Sequence, residues 1–101
     1  MVRDTRSRSE NRLAILSYLS KRWVHGPKNT FDGPSEHTQP GIAQSLGVVR
    51  SAIVGTLDEL QRDGLIVVHR LRTEGNSRRR KVYFITPAGM DVIRDADERR
   101  P

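Results

Sequence analysis

Residues 41–60 read GIAQSLGVVRSAIVGTLDEL, and their small and aliphatic positions are spaced as two helices joined by a very short turn require. Ala43 lets one helix approach its neighbour closely, Gly47 supplies the backbone freedom to reverse within a few residues, and Ile53 locks the following helix against the others. Ile42 and Leu46 complete an apolar face on the first of these helices, while Ile53, Leu57 and Leu60 recur on one face of the second. The spacing predicts helices over 39–46 and 49–62, stopped by Gly47 and Gly64. Thr38 is a candidate N-cap, with Pro40 just inside, where a missing N–H costs nothing.

Working outward, Leu13, Ile15, Leu16, Leu19 and Trp23 recur at three and four, which predicts a first helix over 10–24. Between it and Thr38 glycine and proline are too dense for a regular element, so 25–38 is expected as a loop, with an extended piece around Asn29 to Phe31. Past Gly64 the character changes. LIVVHRLR (65–72) and RKVYFIT (80–86) are β-branched and aromatic around the polar cluster TEGNSR, which predicts a β-hairpin. Tyr83 and Ile85 should point inward to the first and third helices, and Val82 and Phe84 to the other face, where the last helix or a partner subunit would cover them. Thr86 and Pro87 repeat the cap-then-proline signal before a last helix, AGMDVIRDADER.

The chain has 101 residues, 35% hydrophobic and 30% charged, with net charge +6. That length holds one domain with a modest core, and that charge points to a polyanionic partner. The positive charge is placed rather than spread. Arg70, Arg72, Arg78, Arg79, Arg80 and Lys81 stand against the single acid Glu74, so the hairpin carries +5 of the +6. A solvated edge strand guarded against aggregation would be served by mixed signs, whereas contiguous bases repel one another and favour phosphate binding. Cysteine is absent, which removes disulfides, thiol nucleophiles and thiolate zinc sites. His25, His37 and His69 lack metal-ligand spacing and are expected to face solvent or be hydrogen-bonded. Asp32, Ser35, Glu36 and His37 crowd the loop, but no glycine-flanked nucleophile or phosphate-cradling loop accompanies them, so no enzyme, cofactor or metal is expected. No apolar run approaches the roughly 20 residues that cross a bilayer, and MVRDTRSRSENR has no apolar segment behind its charges, so the expected location is cytoplasmic.

The 41–60 stretch matches the helix-turn-helix pattern, and with ILSYL (15–19), IAQSLGVVRSAIVGTLDELQRDGLIV (42–67) and VYFITPAG (82–89) the chain resembles the winged helix-turn-helix proteins. Within them it resembles the MarR-like transcriptional regulators, over about Leu13 to Ile93. The resemblance implies a mainly α fold with a small β-hairpin wing: a three-helix core plus a C-terminal helix. The expected organisation is a flexible basic arm over 1–9, a winged domain over 10–97 (helix-turn-helix 39–63, wing 65–86) and a tail over 98–101.

The same resemblance implies double-stranded DNA as partner, with the third helix (49–62) in the major groove and the wing on the backbone or the minor groove. The candidate contacts are Thr38, Gln39, Val49, Arg50, Ser51, Val54, Gly55, Arg70, Arg72, Arg78, Arg79, Arg80 and Lys81. Arg50 can grip a phosphate or the O6/N7 edge of guanine, Ser51 a phosphate or base edge, and Val54 a thymine methyl. Asp58, Glu59 and Asp63 would be repelled by phosphates, so only the front of that helix should enter a groove. MarR-like helices usually offer a hydroxyl cap where this chain has Val49, and polar or basic side chains where it has Val54 and Gly55. Exposed valine and glycine also suit a protein-binding helix, so a winged-helix interaction module, or a domain of a larger protein, stands as the second reading. The resemblance implies a homodimer as well, through the first helix, the 25–38 loop or the last helix, between which the sequence does not choose.

Overall fold

Each glycine that ends a helix does so in the left-handed region, with φ 69° at Gly47 and 75° at Gly64, where a side chain would be strained. In the computed structural model, which describes residues 8–22, 32–73 and 78–99, the elements run α1 (Arg8–Arg22), β1 (Asp32–Gly33), a 3-10 turn (Ser35–His37), α2 (Gln39–Leu46), α3 (Ser51–Arg62), β2 (Ile66–Thr73), β3 (Arg79–Ile85) and α4 (Pro87–Glu98). This is the mainly helical α+β architecture expected: four helices and an antiparallel hairpin. No helix among the described residues is long and apolar enough to cross a membrane.

The helices pack as their patterns require, with two adjustments. Ile15, Leu16 and Leu19 of α1 are buried, but Leu13 is 37% exposed. At about 100° per residue, Leu13 lies roughly 110° around the helix from the middle of that stripe, so a spacing of three alone misassigns it. Trp23, Val24 and the extended piece expected at 29–31 lie outside the described residues, as do residues 1–7 of the arm. α3 begins at Ser51, two residues later than expected. Val49 and Arg50 form a tight lead-in turn in which the amides of Ala52 and Ile53 donate to the carbonyls of Val49 (3.0 Å) and Arg50 (3.1 Å).

Ile42, Ala43, Ile53, Leu57 and Leu60 close a core with α1, and Ile66, Tyr83 and Ile85 of the hairpin cap it. The hairpin register runs from Ile66 opposite Ile85 to Arg72 opposite Arg79. β1 adds two residues, parallel to the far end of β2, with Asp32 opposite Arg72. Val82 and Phe84 form a second cluster with Leu71 on the other face. No residue of α4 belongs to this cluster, which corrects the expectation for the last helix. The 3-10 turn lays His37, itself fully buried, edge-on to Phe84 with ring centroids 5.5 Å apart. His37 Nδ1 donates to the Tyr83 carbonyl at 2.9 Å, which pins the turn to β3. Met90, Val92 and Ile93 of α4 instead pack against the main core.

Two threonine caps fix the helix starts. Thr38 Oγ1 accepts from the Gly41 amide at 3.2 Å. Thr86 Oγ1 accepts from the Gly89 amide at 3.1 Å and donates to the Gly64 carbonyl at 2.7 Å, so α4 starts against the turn that ends α3. Both capped amides belong to glycines packed against backbone. A methyl on Gly41 would overlap Ser35 O and the Glu36 Cα, and one on Gly89 would overlap Leu65 O and Ile85 Cγ1.

Gly41→Ala and Gly89→Ala are therefore each expected to cost about 1–3 kcal/mol, a fall in Tm of at least about 5 °C for a domain this size. Gly47 has nothing within 4 Å of its missing Cβ, so Gly47→Asn, which tolerates left-handed backbone, should lose much less. Equal melting temperatures for the Gly41 and Gly47 variants would contradict this packing.

Candidate nucleic-acid interface

Strand alternation carries the hairpin's core face outward into a cationic one. Ile66 and Val68 on β2, and Ile85 and Tyr83 on β3, face the helices. Two and four residues further along the same face stand Arg70 and Arg72, opposite Lys81 and Arg79, because the pleat repeats every second residue. The hairpin outruns the core there, so the side chains that follow the apolar ones reach past the helices.

Those bases meet the start of α2 and the lead-in to α3. An open concavity of about 470 Å³ is bordered by the cap Thr38 and by Gln39 and Pro40 of α2, by Arg50, and by Arg70, Arg79, Arg80 and Lys81 of the hairpin. Among the described residues five cations and no acid line it, so the charge they bring is positive and its low-dielectric walls concentrate anions. Arg80 belongs by alternation to the Val82 face, yet it lines this basin and a smaller concavity of about 250 Å³ beside Glu36 and Gln44.

Of the residues singled out from the sequence, the structure brings together Thr38, Gln39, Arg50, Arg70, Arg79, Arg80 and Lys81. It does not bring Arg72 and Arg78 into the basin; both are exposed on the hairpin. Val49 (67% exposed), Ser51, Val54 (36% exposed) and Gly55 face solvent on the lead-in turn and α3, outside the basin. α3 begins directly after Arg50, so its first exposed turn starts at the basin's rim.

Thr38 and Gln39 differ from the outward contacts expected of them. Thr38 is 3% exposed, and its hydroxyl both accepts from Gly41 N and donates to the Ser35 carbonyl at 2.7 Å. It acts as a cap. Gln39 accepts from Arg50 Nε at 2.9 Å and donates from Nε2 to the Tyr83 hydroxyl at 3.0 Å. Pro40 and Tyr83 are the participants that sequence reading missed. Tyr83 carries a strand-core signal, and nothing local announces that its hydroxyl meets a glutamine 44 residues earlier in the chain.

Of the acids Asp58, Glu59 and Asp63, the last two are turned to a different use. Arg12 of α1 pairs with Glu59 at 3.3 Å and Asp63 at 2.9 Å, holding negative charge against α1 at the carboxyl end of α3. At 1.5 Å per residue, Asp63 lies roughly 20 Å along the chain axis from Arg50, so these carboxylates do little to offset the basin's field.

No family model matches the sequence. Among solved structures, the chain is similar to CouR from Rhodococcus jostii RHA1, seen there bound to p-coumaroyl-CoA, at 27% identity and a TM-score of 0.60, covering 88% of this chain and 52% of that one. A MarR-family transcriptional regulator from Rhodococcus sp. RHA1 is 28% identical with a TM-score of 0.62, covering 88% and 52%. The regulator BldR from Sulfolobus solfataricus is 26% identical with a TM-score of 0.59, covering 87% and 52%. This chain spans about half the length of each.

The hairpin sets like charges directly across its ladder, Arg70 against Lys81 and Arg72 against Arg79, an arrangement that destabilises a sheet by about 0.2–1 kcal/mol per pair. Lys81→Thr should therefore stabilise the fold in dilute buffer by about that amount, and the gain should fade as salt screens the pair. Thermal melts at low and high ionic strength measure it. A loss of stability at every salt concentration would show that these cations do not repel across the ladder.

Proposed function

We propose that this chain, whose winged helix-turn-helix fold is shared with the MarR-family regulators, is a sequence-specific double-stranded DNA-binding transcriptional regulator. In this reading the amino-terminal turns of α3 enter the major groove, and the hairpin follows the adjoining backbone or minor groove. The observation that carries it is the basin: Arg50, at the entrance to α3, lies in one positive concavity with Arg70, Arg79, Arg80 and Lys81. A duplex offers phosphates at the matching scale, and α3, at 12 residues or roughly 18 Å, is long enough to lie along a groove.

The roles divide by chemistry. Arg70, Arg79, Arg80 and Lys81 supply sequence-independent phosphate contacts and most of the affinity, with Arg72 and Arg78 extending them along the hairpin. Arg50 and the exposed Ser51, Val54 and Gly55 are the candidates for reading bases. Val54 suits a thymine methyl, and Gly55 lets the duplex approach closely. Thr38 holds the start of α2 rigid beneath them. A homodimer would set two copies of α3 on half-sites about one helical turn apart. The structural neighbours are regulators rather than enzymes, which supports a non-catalytic role.

With about five phosphates neutralised, log K for a duplex should fall with log salt at a slope of roughly −4 to −5. The double variant Arg79→Ala/Lys81→Ala should weaken every sequence alike and reduce that slope by about 2. A salt titration that does not move would take the hairpin out of the interface.

A further inference from the structure

The polar contacts behind the basin single out one side chain. Arg50 is exposed on a turn, where a long side chain would ordinarily sample many rotamers. Here its Nε donates to Gln39 Oε1, and Gln39 Nε2 donates in turn to the Tyr83 hydroxyl, at 2.9 and 3.0 Å. Tyr83 is 2% exposed, with its ring in the main core, and its own carbonyl accepts from the buried His37 at 2.9 Å. A solvent-facing guanidinium is thus tied through two hydrogen bonds to one of the most fixed residues of the hairpin.

We infer that Gln39 is a positioning residue that presents Arg50 end-on to a guanine, with the Tyr83 hydroxyl as its anchor, so that this relay sets sequence preference at one base pair. The inference rests on the DNA-binding reading above and deepens it. With Nε–H committed to Gln39, the guanidinium keeps its two terminal nitrogens, whose parallel outward N–H bonds match the O6 and N7 acceptors of guanine in the major groove. An untethered arginine satisfies any nearby phosphate; one held in a single orientation accepts only a partner with the matching geometry. The phosphates are already served by Arg70, Arg79 and Lys81 in the same basin, which leaves Arg50 for the base edge. Gln39 commits one amide N–H to Tyr83 and its oxygen to Arg50, which gives it the role of holding Arg50.

The test begins with selection of a preferred duplex from a random pool by the wild-type chain. Affinities are then measured for that duplex and for a scrambled one of equal length and composition, at fixed salt. Tyr83→Phe keeps the ring in the core and removes only the anchoring oxygen; Gln39→Ala removes both links. Each is expected to lower the preference for the selected duplex about 3- to 10-fold, with the loss confined to a single G·C pair. In Tyr83→Phe, which changes no side chain that lines the basin, affinity for the scrambled duplex and the salt slope should stay where they were. The double variant should be no worse than Gln39→Ala alone, because the two bonds act in series. A structural effect on the hairpin would instead weaken both duplexes together. If Gln39→Ala is unfolded at the assay temperature, Tyr83→Phe carries the measurement.

Two results overturn the relay while leaving the DNA-binding reading standing. One is an unchanged preference in both variants alongside a reduced one in Arg50→Ala. The other is an equal loss on selected and scrambled duplexes, which would show that Gln39 and Tyr83 act on the hairpin or on backbone contacts and not on the choice of base. Failure of the wild-type chain to enrich any duplex would defeat the function itself, and the relay with it.

Discussion

One strand face has to serve as core at one end and as a cationic surface at the other. The pleat makes side chains repeat every second residue without exception along a regular strand. Once Ile66, Val68, Tyr83 and Ile85 turn towards the helices, the directions of Arg70, Arg72, Arg79 and Lys81 are no longer free. A slip of one residue in register would move the apolar set to solvent and the bases to the far side. Burial of the hairpin's base thereby aims its outer end, and the basin exists because the hydrophobic effect at one end of the ladder chooses the facing of charges at the other.

Much of the remaining structure serves to hold that ladder against the helices. The 3-10 turn pins β3 through His37 and the Tyr83 carbonyl, and Thr86 ties the end of β3 to the turn after α3. Gly41 and Gly89 let backbone meet backbone at the two capped helix starts, where any side chain would hold the elements apart. Arg12 draws Glu59 and Asp63, at the carboxyl end of α3, to α1. Each contact is modest alone, since a hydrogen bond contributes about 1 kcal/mol net and a surface ion pair less. Their joint effect is geometric: they set where α2, the lead-in to α3 and the hairpin converge. That convergence also has a cost, because bases placed opposite one another strain the sheet that carries them, a pattern common where function opposes stability.

The elements were legible in the sequence because their causes are local. Gly47 and Gly64 stop helices by backbone conformation, Thr38 and Thr86 start them through a hydroxyl three residues away, and the apolar stripes of α2 and α3 follow from helical period. Strand composition and the polar break between the two runs sufficed for the hairpin, and the crowding of its bases marked it as the charged element. Leu13 was misread because a spacing of three fits two neighbouring stripes. The contact of His37 with Phe84 was missed because that histidine lies in a loop rich in glycine and proline, where no periodicity operates.

What the sequence determined by itself, then, was the order of elements, the helix-turn-helix and the accumulation of positive charge on one hairpin, all set by propensity, period and composition within short windows. Only the tertiary structure decided which bases share a concavity with Arg50, that the capping hydroxyl of Thr38 is buried and bonded to Ser35 as well, and that Gln39 stands between Arg50 and Tyr83. Those facts depend on the register of two strands and on how closely α2 approaches β3. The first is fixed by which strand face the helices bury, and the second by packing between residues such as Gln39 and Tyr83, 44 positions apart, where a local pattern carries no information.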